Sequence, residues 1–362
     1  MCGIITREVI IVSAIARIDK NFKVETKINK DDIKFYDIKS EPFKIYGVFY
    51  QNGKFRRMPE AVAEKVSDGV RRLHANTAGG RVRFKTDSKY VAINAKMSDL
   101  GKMPHFALTG SIGFDLYVRV DDNDRYMGTY LPPFDVTDSY ESIIEFDEAE
   151  MREITINFPL YSEVCELYIG LSENAQVLEH DDYKYEKPIV YYGSSITQGG
   201  CASRPGNSYQ AIISRRFDTD YINLGFSGNA KAEDEIAEYI KLLDMSIFVY
   251  DYDHNSPNCE HYENTHKKMF KTIRKAHPDI PIIMMSRPKH YLNMGEKKRV
   301  EIMTKTFENA KANGDNNVYM LTGKDLTTLC GNEGTVDNVH PNDFGFASMA
   351  QALGDLLEKE IF

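Results

Sequence analysis

The spacing of apolar residues changes period once along this chain, and that change limits the folds open to it. Up to about residue 172, short apolar runs follow one another at 9–18, 22–28, 33–38, 43–50, 81–86, 90–95, 114–120, 140–146, 154–158 and 166–169. Val82 and Phe84, then Val91 and Ile93, alternate with their neighbours, and Gly79-Gly80 and Asp87-Ser88 separate the runs, the pattern of strands joined by turns. Only 59–72 reads as helix. So many short strands with so little helix predict an antiparallel, jelly-roll-like β-sandwich over residues 1–183.

The polar run 179–184 reads as a linker, and beyond it the class changes. Strands are expected at 189–192, 221–224, 247–252, 280–285 and 318–321, with helices near 207–217, 231–242, 262–276 and 296–312 between them. After Asn342, Phe346, Met349, Ala350, Leu353, Leu356 and Leu357 form one stripe, as a helix packed on a sheet requires. Residues 184–362 are therefore expected to form a parallel α/β domain. A chain of 362 residues, 42% of them hydrophobic, can fill two such cores.

A net charge of -9 argues against nucleic acid as a partner, and the basic groups Arg56-Arg57, Arg71-Arg72 and Lys297-Lys298-Arg299 are short enough to be solvated faces. The five cysteines (Cys2, Cys165, Cys201, Cys259, Cys330) are scattered without C-x-x-C spacing, which predicts neither a disulfide framework nor a zinc site and suits a reducing, cytoplasmic setting. The apolar run at 9–16 is too short for a membrane span and lacks a cleavage signal. Met1-Cys2-Gly3-Ile4 resembles the N-terminal cysteine of glutamine amidotransferases, but no downstream segment supports a role for Cys2.

Chemistry is expected where strands end. The segment IVYYGSSITQGG, residues 189–200, runs from an apolar strand into a small-residue turn that exposes Ser194 and Ser195 at a strand's carboxyl end, the side on which ligands bind in open parallel sheets. Read alone, it is an ordinary Gly-Ser turn. Asp337-Asn338-Val339-His340-Pro341 sets a carboxylate three residues before an imidazole, which the following proline keeps out of helical geometry. Such a pair either caps a helix or supplies the base that a serine hydroxyl needs at neutral pH. Gly228, after the second strand, and Asn255, after the third, could donate to an oxyanion. The Asp, His and Asn residues Asp251, Asp253, His254 and Asn255, joined by His261, could instead suggest metal ligands, though without a recognised spacing.

The order Ser195, Gly228, Asn255, then Asp337 and His340 resembles the four blocks of the SGNH, or GDSL-type, hydrolases over residues 187–362. That resemblance implies a three-layer α/β/α domain, Ser195 as nucleophile, His340 as base and Asp337 as its orienter. It also implies an oxyanion hole of Gly228, Asn255 and the Ser195 N–H. Two positions depart from the family: Ser194 stands where its aspartate is usual, and Asp253 stands where the third block usually has glycine. Ahead of this domain, Gly113-Phe114-Asp115-Leu116-Tyr117 matches the G-x-D-L-Y signature of a β-sandwich that precedes bacterial SGNH-type esterases; plain strand packing would explain most of it.

Enzymes of this plan are similar to carbohydrate acetylesterases, which implies a serine esterase acting on short O-acyl esters of oligo- or polysaccharides, with no cofactor and no metal. A lipase or thioesterase on the same scaffold and a non-catalytic carbohydrate-binding protein are the alternatives; the lack of Trp removes the commonest sugar platform, though 22 Tyr could substitute. The expected partner is a small-molecule or oligosaccharide ester, with no nucleic acid and no membrane, and a homo-oligomer remains open.

Overall fold

The structure is a computed structural model that describes residues 28–362. The strand expected at 9–18, nearly all of that at 22–28, and Cys2 lie outside the described residues. Twelve short strands and three short helices come first: β1 (Ile33–Asp37), β2 (Lys44–Tyr46), β3 (Phe49–Gln51), β4 (Lys54–Arg56), α1 (Glu60–Val66), α2 (Asp68–Leu73), β5 (Arg81–Thr86), β6 (Tyr90–Asp99), α3 (Leu108–Ser111), β7 (Phe114–Val120), β8 (Asn123–Tyr130), β9 (Ser139–Glu145), β10 (Arg152–Asn157), β11 (Glu163–Ser172) and β12 (Val177–Leu178). One antiparallel sheet has the order β1-β11-β6-β9 and the other β12-β5-β10-β7-β8, with β2 also on β5.

Alternation explains their packing. Val82, Phe84, Ile93, Phe114, Leu116, Ile154 and Ile156 point into a common core, all fully buried. The intervening Arg81 and Arg83 point the other way yet are also buried, because the second domain covers that face. Arg81 lies 3.9 Å over the Tyr221 ring and pairs with Asp220, while Arg83 lies 3.9 Å over Tyr183. The attraction of each ring face for the guanidinium over it offsets part of the cost of burying that charge.

Two expected elements are broken in the structure. The strand at 43–50 is interrupted at Gly47, whose φ of +72° favours glycine. The helix at 59–72 is split at Ser67, which is extended and caps α2 by accepting the Val70 N–H at 3.2 Å. β8 had no sequence signal because it is mostly exposed and polar.

The second part alternates as expected: β13 (Tyr185–Gly193), α4 (Ser195–Gln198), α5 (Tyr209–Phe217), β14 (Thr219–Gly225), α6 (Asp234–Ile240), β15 (Ile247–Asp251), α7 (Cys259–Ala276), β16 (Ile282–Met285), α8 (Met294–Ala312), β17 (Val318–Leu321), α9 (Gly323–Leu326) and α10 (Asp343–Glu360). The sheet is parallel, ordered β14-β13-β15-β16-β17. Residues of α5 and α10 fill the core on one face, and those of α6, α7 and α8 the core on the other, which makes three layers. Ala63, Val66 and Val70 from the sandwich half join the second of these cores. The chain winds first to one side of β13 and then to the other, so the carboxyl ends of β13, β14 and β15 open a crevice at the switch point. Among the described residues no helix is long and apolar enough to cross a membrane.

Candidate active site

The strand-to-helix turn after β13 is tightly constrained. A Cβ on Gly193 would sit 2.6 Å from the Asp251 carbonyl oxygen, so no larger residue fits beside β15. Ser194 is the N-cap of α4: its Oγ accepts the Ile196 N–H at 3.2 Å, and its own N–H donates to the Asp251 carbonyl at 3.3 Å. Capping is a role that serine and aspartate perform about equally well, which accounts for serine at this position. Ser195 follows as the first residue of α4, 6% exposed, with Oγ 2.9 Å from His340 Nε2.

His340 is held by its own loop. Thr335 and Pro341 pair across it, Val336 N–H donates to the His340 carbonyl at 2.9 Å, and Asn338 turns the chain with φ of +66°. Asp337 Oδ1 accepts the N–H groups of His340 at 2.8 Å and Val339 at 3.1 Å, and Oδ2 lies 2.8 Å from His340 Nδ1. Partial burial works to raise the Asp337 carboxyl, but the bonds from His340, backbone and ring, outweigh it and hold the group down at about 2. An ionised Asp337 keeps the proton on Nδ1, so Nε2 presents its lone pair to the Ser195 hydroxyl.

Three donors stand at successive strand ends. Gly228, after β14, has φ of +70° and open space where a Cβ would be. Asn255, after β15, uses Oδ1 to accept the Ala230 N–H at 3.2 Å, which leaves Nδ2 as its free end. Among the described residues, the N–H groups of Ser195 and Gly228 and the Asn255 Nδ2 meet no acceptor.

Asp253 has a structural task. Its Oδ2 accepts from Arg287 Nε at 3.1 Å and its carbonyl from Arg299 Nη1 at 2.8 Å, with Arg287 also 3.1 Å from Glu296. The carboxylate is thus paired with Arg287, just after β16, while the Asp253 carbonyl ties the Asn255 loop to Arg299 of α8. His261 lies at the start of α7 against Ser256, 3.1 Å away, so Asp251, Asp253, His254 and His261 are not gathered as metal ligands. Burial, Arg287 and His340 drive the His254 imidazole down to about 4 despite Asp253, so it is neutral near pH 7. Burial and the nearby Asp253 push the Asp251 carboxyl up to about 8.

Sequence reasoning missed one neighbour of the site altogether. His105, on the 100–107 segment of the sandwich half, places its ring 5.5 Å from that of His340. A lone histidine in an irregular segment carries no periodic signal. Sequence reasoning also undervalued the G-x-D-L-Y segment. Phe114 and Leu116 do face the core, but Asp115 is fully buried and accepts from Arg204 Nη1 at 3.0 Å, Gly206 N–H at 2.8 Å and Asn157 Nδ2 at 2.8 Å. Arg204 also bonds the Tyr117 hydroxyl. The outward half of the motif therefore ties the sandwich to the segment that follows the Ser195 helix.

Residues 186–358 match the GDSL-like Lipase/Acylhydrolase family, and residues 33–177 match the GxDLY family, described as the N-terminus of Esterase_SGNH_hydro-type. The chain is an SGNH/GDSL-type hydrolase with a GxDLY N-terminal domain. A protein of Bacteroides ovatus ATCC 8483 described as a GDSL-like lipase is 29% identical with a TM-score of 0.81, over 90% of this chain and 97% of that one. The salicylyl-acyltransferase SsfX3 of a tetracycline biosynthetic pathway is 20% identical (TM-score 0.73; 91% and 98% covered), and the acetyl xylan esterase Est2A of Butyrivibrio proteoclasticus is 12% identical (TM-score 0.57; 91% and 98% covered). The latter two share the fold. No curated protein matches the chain in sequence.

Proposed function

We propose that the chain is a serine esterase that removes a short acyl group, acetyl, from a hydroxyl of an oligo- or polysaccharide. The observation that carries this reading is the unbroken chain of bonds from Ser195 Oγ to His340 Nε2, 2.9 Å, and from His340 Nδ1 to Asp337 Oδ2, 2.8 Å. Ser195 Oγ attacks the ester carbonyl while His340 takes its proton. The oxyanion accepts from the N–H groups of Ser195 and Gly228 and from Asn255 Nδ2. Collapse expels the sugar alcohol, protonated by His340, and leaves an acyl-enzyme that water, activated by the same imidazole, hydrolyses to acetate.

A polar acceptor alcohol suits the surroundings of His340, beside which His105 and His254 stand. The fold shared with an acetyl xylan esterase agrees. Ser195→Ala is expected to abolish hydrolysis of a chromogenic acetate ester without changing the melting temperature; a variant as active as the parent removes the assignment. Esters of longer acids should be slower than acetate, and NMR of acetylated oligosaccharides should show which acetyl signals disappear.

A further inference from the structure

Three metal-ligating side chains meet at the mouth of the site although they are far apart in sequence. His105 comes from the sandwich half, Cys201 from the turn after α4, and His340 from the loop before α10, and one ligand atom of each lies within 4.8 Å of the others. We propose that His105, Cys201 and His340 form an inhibitory site for a thiophilic divalent cation, Zn²⁺, which switches the hydrolase off by capturing the His340 imidazole. The inhibitory consequence rests on the esterase reading; the binding does not.

The donor set suits zinc, which favours imidazole nitrogen and thiolate sulfur in tetrahedral geometry. Two ligands at ~2.0–2.3 Å from one tetrahedral metal lie roughly 3.3–3.8 Å apart, so the cluster must contract by about an ångström. His105 is free to move, since its ring bonds no group among the described residues. Three protein ligands leave the fourth position to water.

The support behind the ligands is also in place. Asp337 backs His340 at 2.8 Å, the carboxylate–histidine–metal arrangement that fixes a ligand ring. The Cys201 backbone N–H donates to the Pro341 carbonyl at 3.2 Å, so the thiol and the His340 loop are held together. On binding, the Cys201 thiol gives its proton to solvent as the Zn–S bond forms, the metal sheds water, and nothing is oxidised or reduced. Whichever nitrogen of His340 is used, catalysis stops: Nε2 faces Ser195 and Nδ1 faces Asp337, and a metal on either breaks one of those bonds.

Cobalt(II) is the direct probe, because a bound thiolate gives a near-ultraviolet charge-transfer band and tetrahedral coordination gives visible bands. The full chain, purified with chelator, should bind one Co²⁺ with both signals, and Zn²⁺ should displace it. Cys201→Ser should lose the thiolate band although Cys2, Cys165, Cys259 and Cys330 remain. In the ester assay Zn²⁺ should inhibit reversibly, with EDTA restoring the rate, and the half-inhibiting concentration, read against each variant's own zinc-free rate, should rise at least about tenfold in Cys201→Ser and in the surface variant His105→Gln. A missing thiolate band, a band that survives Cys201→Ser, or equal zinc sensitivity in parent and variants overturns the site. Absence of any ester hydrolysis would overturn the esterase reading instead, and the cobalt spectra would still decide the metal site.

Discussion

Replacing Asp337 by asparagine should damage catalysis more than replacing it by alanine, and the loop geometry gives the reason. Oδ1 accepts two backbone N–H groups, from His340 at 2.8 Å and Val339 at 3.1 Å. In Asp337→Asn those two donors hold the amide oxygen where it is, because the reversed amide would set its NH₂ against them. The Nδ2 group then faces His340 Nδ1 and donates to it, so the ring proton moves to Nε2 and the base presents N–H to a hydroxyl that must lose its proton. A wrong tautomer of this kind costs about 10⁴ in kcat in a serine hydrolase triad. Alanine imposes no tautomer and removes the charge together with the acceptor of the loop. The expected loss for Asp337→Ala is about ten- to a hundredfold, since a hydrogen bond to a charged group contributes ~1.5–3 kcal/mol and the imidazolium that forms at His340 loses that partner. The assay is kcat for a chromogenic acetate ester, with melting temperatures for both variants. Equal losses in the two, or an asparagine variant within about tenfold of the parent, would refute the tautomer argument.

Three other perturbations have clear signs. Asn255→Ala should lower kcat by about 10²–10³ with little change in KM, since Nδ2 is assigned to the oxyanion; a change confined to KM would contradict that. Asp115→Ala leaves Arg204, Gly206 N–H and Asn157 without their acceptor and should cost ~3–5 kcal/mol in denaturant unfolding, with a loss below about 1 kcal/mol counting against the tie described above. The buried Asp251 carboxyl, pushed up to about 8, keeps a proton that the unfolded chain releases near pH 4, so its contribution to stability is present below about pH 4 and lost as pH rises to about 8. Asp251→Asn keeps the oxygen facing Ser194 and should gain on the parent steadily as pH rises between about 5 and 8, by a few kcal/mol at most; parallel stability curves would exclude a protonated Asp251.

The α/β half was the more legible part of this chain because period, caps and chemistry coincide there. Asn258 and Asn293 cap α7 and α8 a few residues earlier than hydrophobic spacing placed their starts, and Pro281 delays β16 to Ile282. Ser195, Gly228, Asn255, Asp337 and His340 stood out through their order at successive strand ends and before the last helix, since singly each could as well be a cap or a turn residue. Ser194 and Asp253 looked like departures from the family pattern when seen singly, but their partners, Ile196 N–H and Arg287, show them to be a cap and a clamp. What stayed hidden came from long-range contact. Nothing near His105 in sequence mentions His340, and Asp115 and Tyr117 alternate with core residues as any outward strand positions would until Arg204 arrives from the other half.

The division of labour around His340 has a consequence for how such a protein can be diversified. The bonds among Ser195, His340 and Asp337 lie in the loops of the parallel sheet, and the sandwich half reaches them twice: the Tyr161 hydroxyl donates to the Ser195 carbonyl at 3.1 Å, and the 100–107 segment, between β6 and α3, brings His105 beside His340. Gly101 and Phe106 pack on Tyr161 and must stay as they are, whereas Lys102, Pro104, His105 and Ala107 can vary without moving Ser195, Asp337 or His340. A library randomised over those four positions alone should yield many folded, active members that differ in the alcohol they accept, much as exchangeable tips on a fixed tool do.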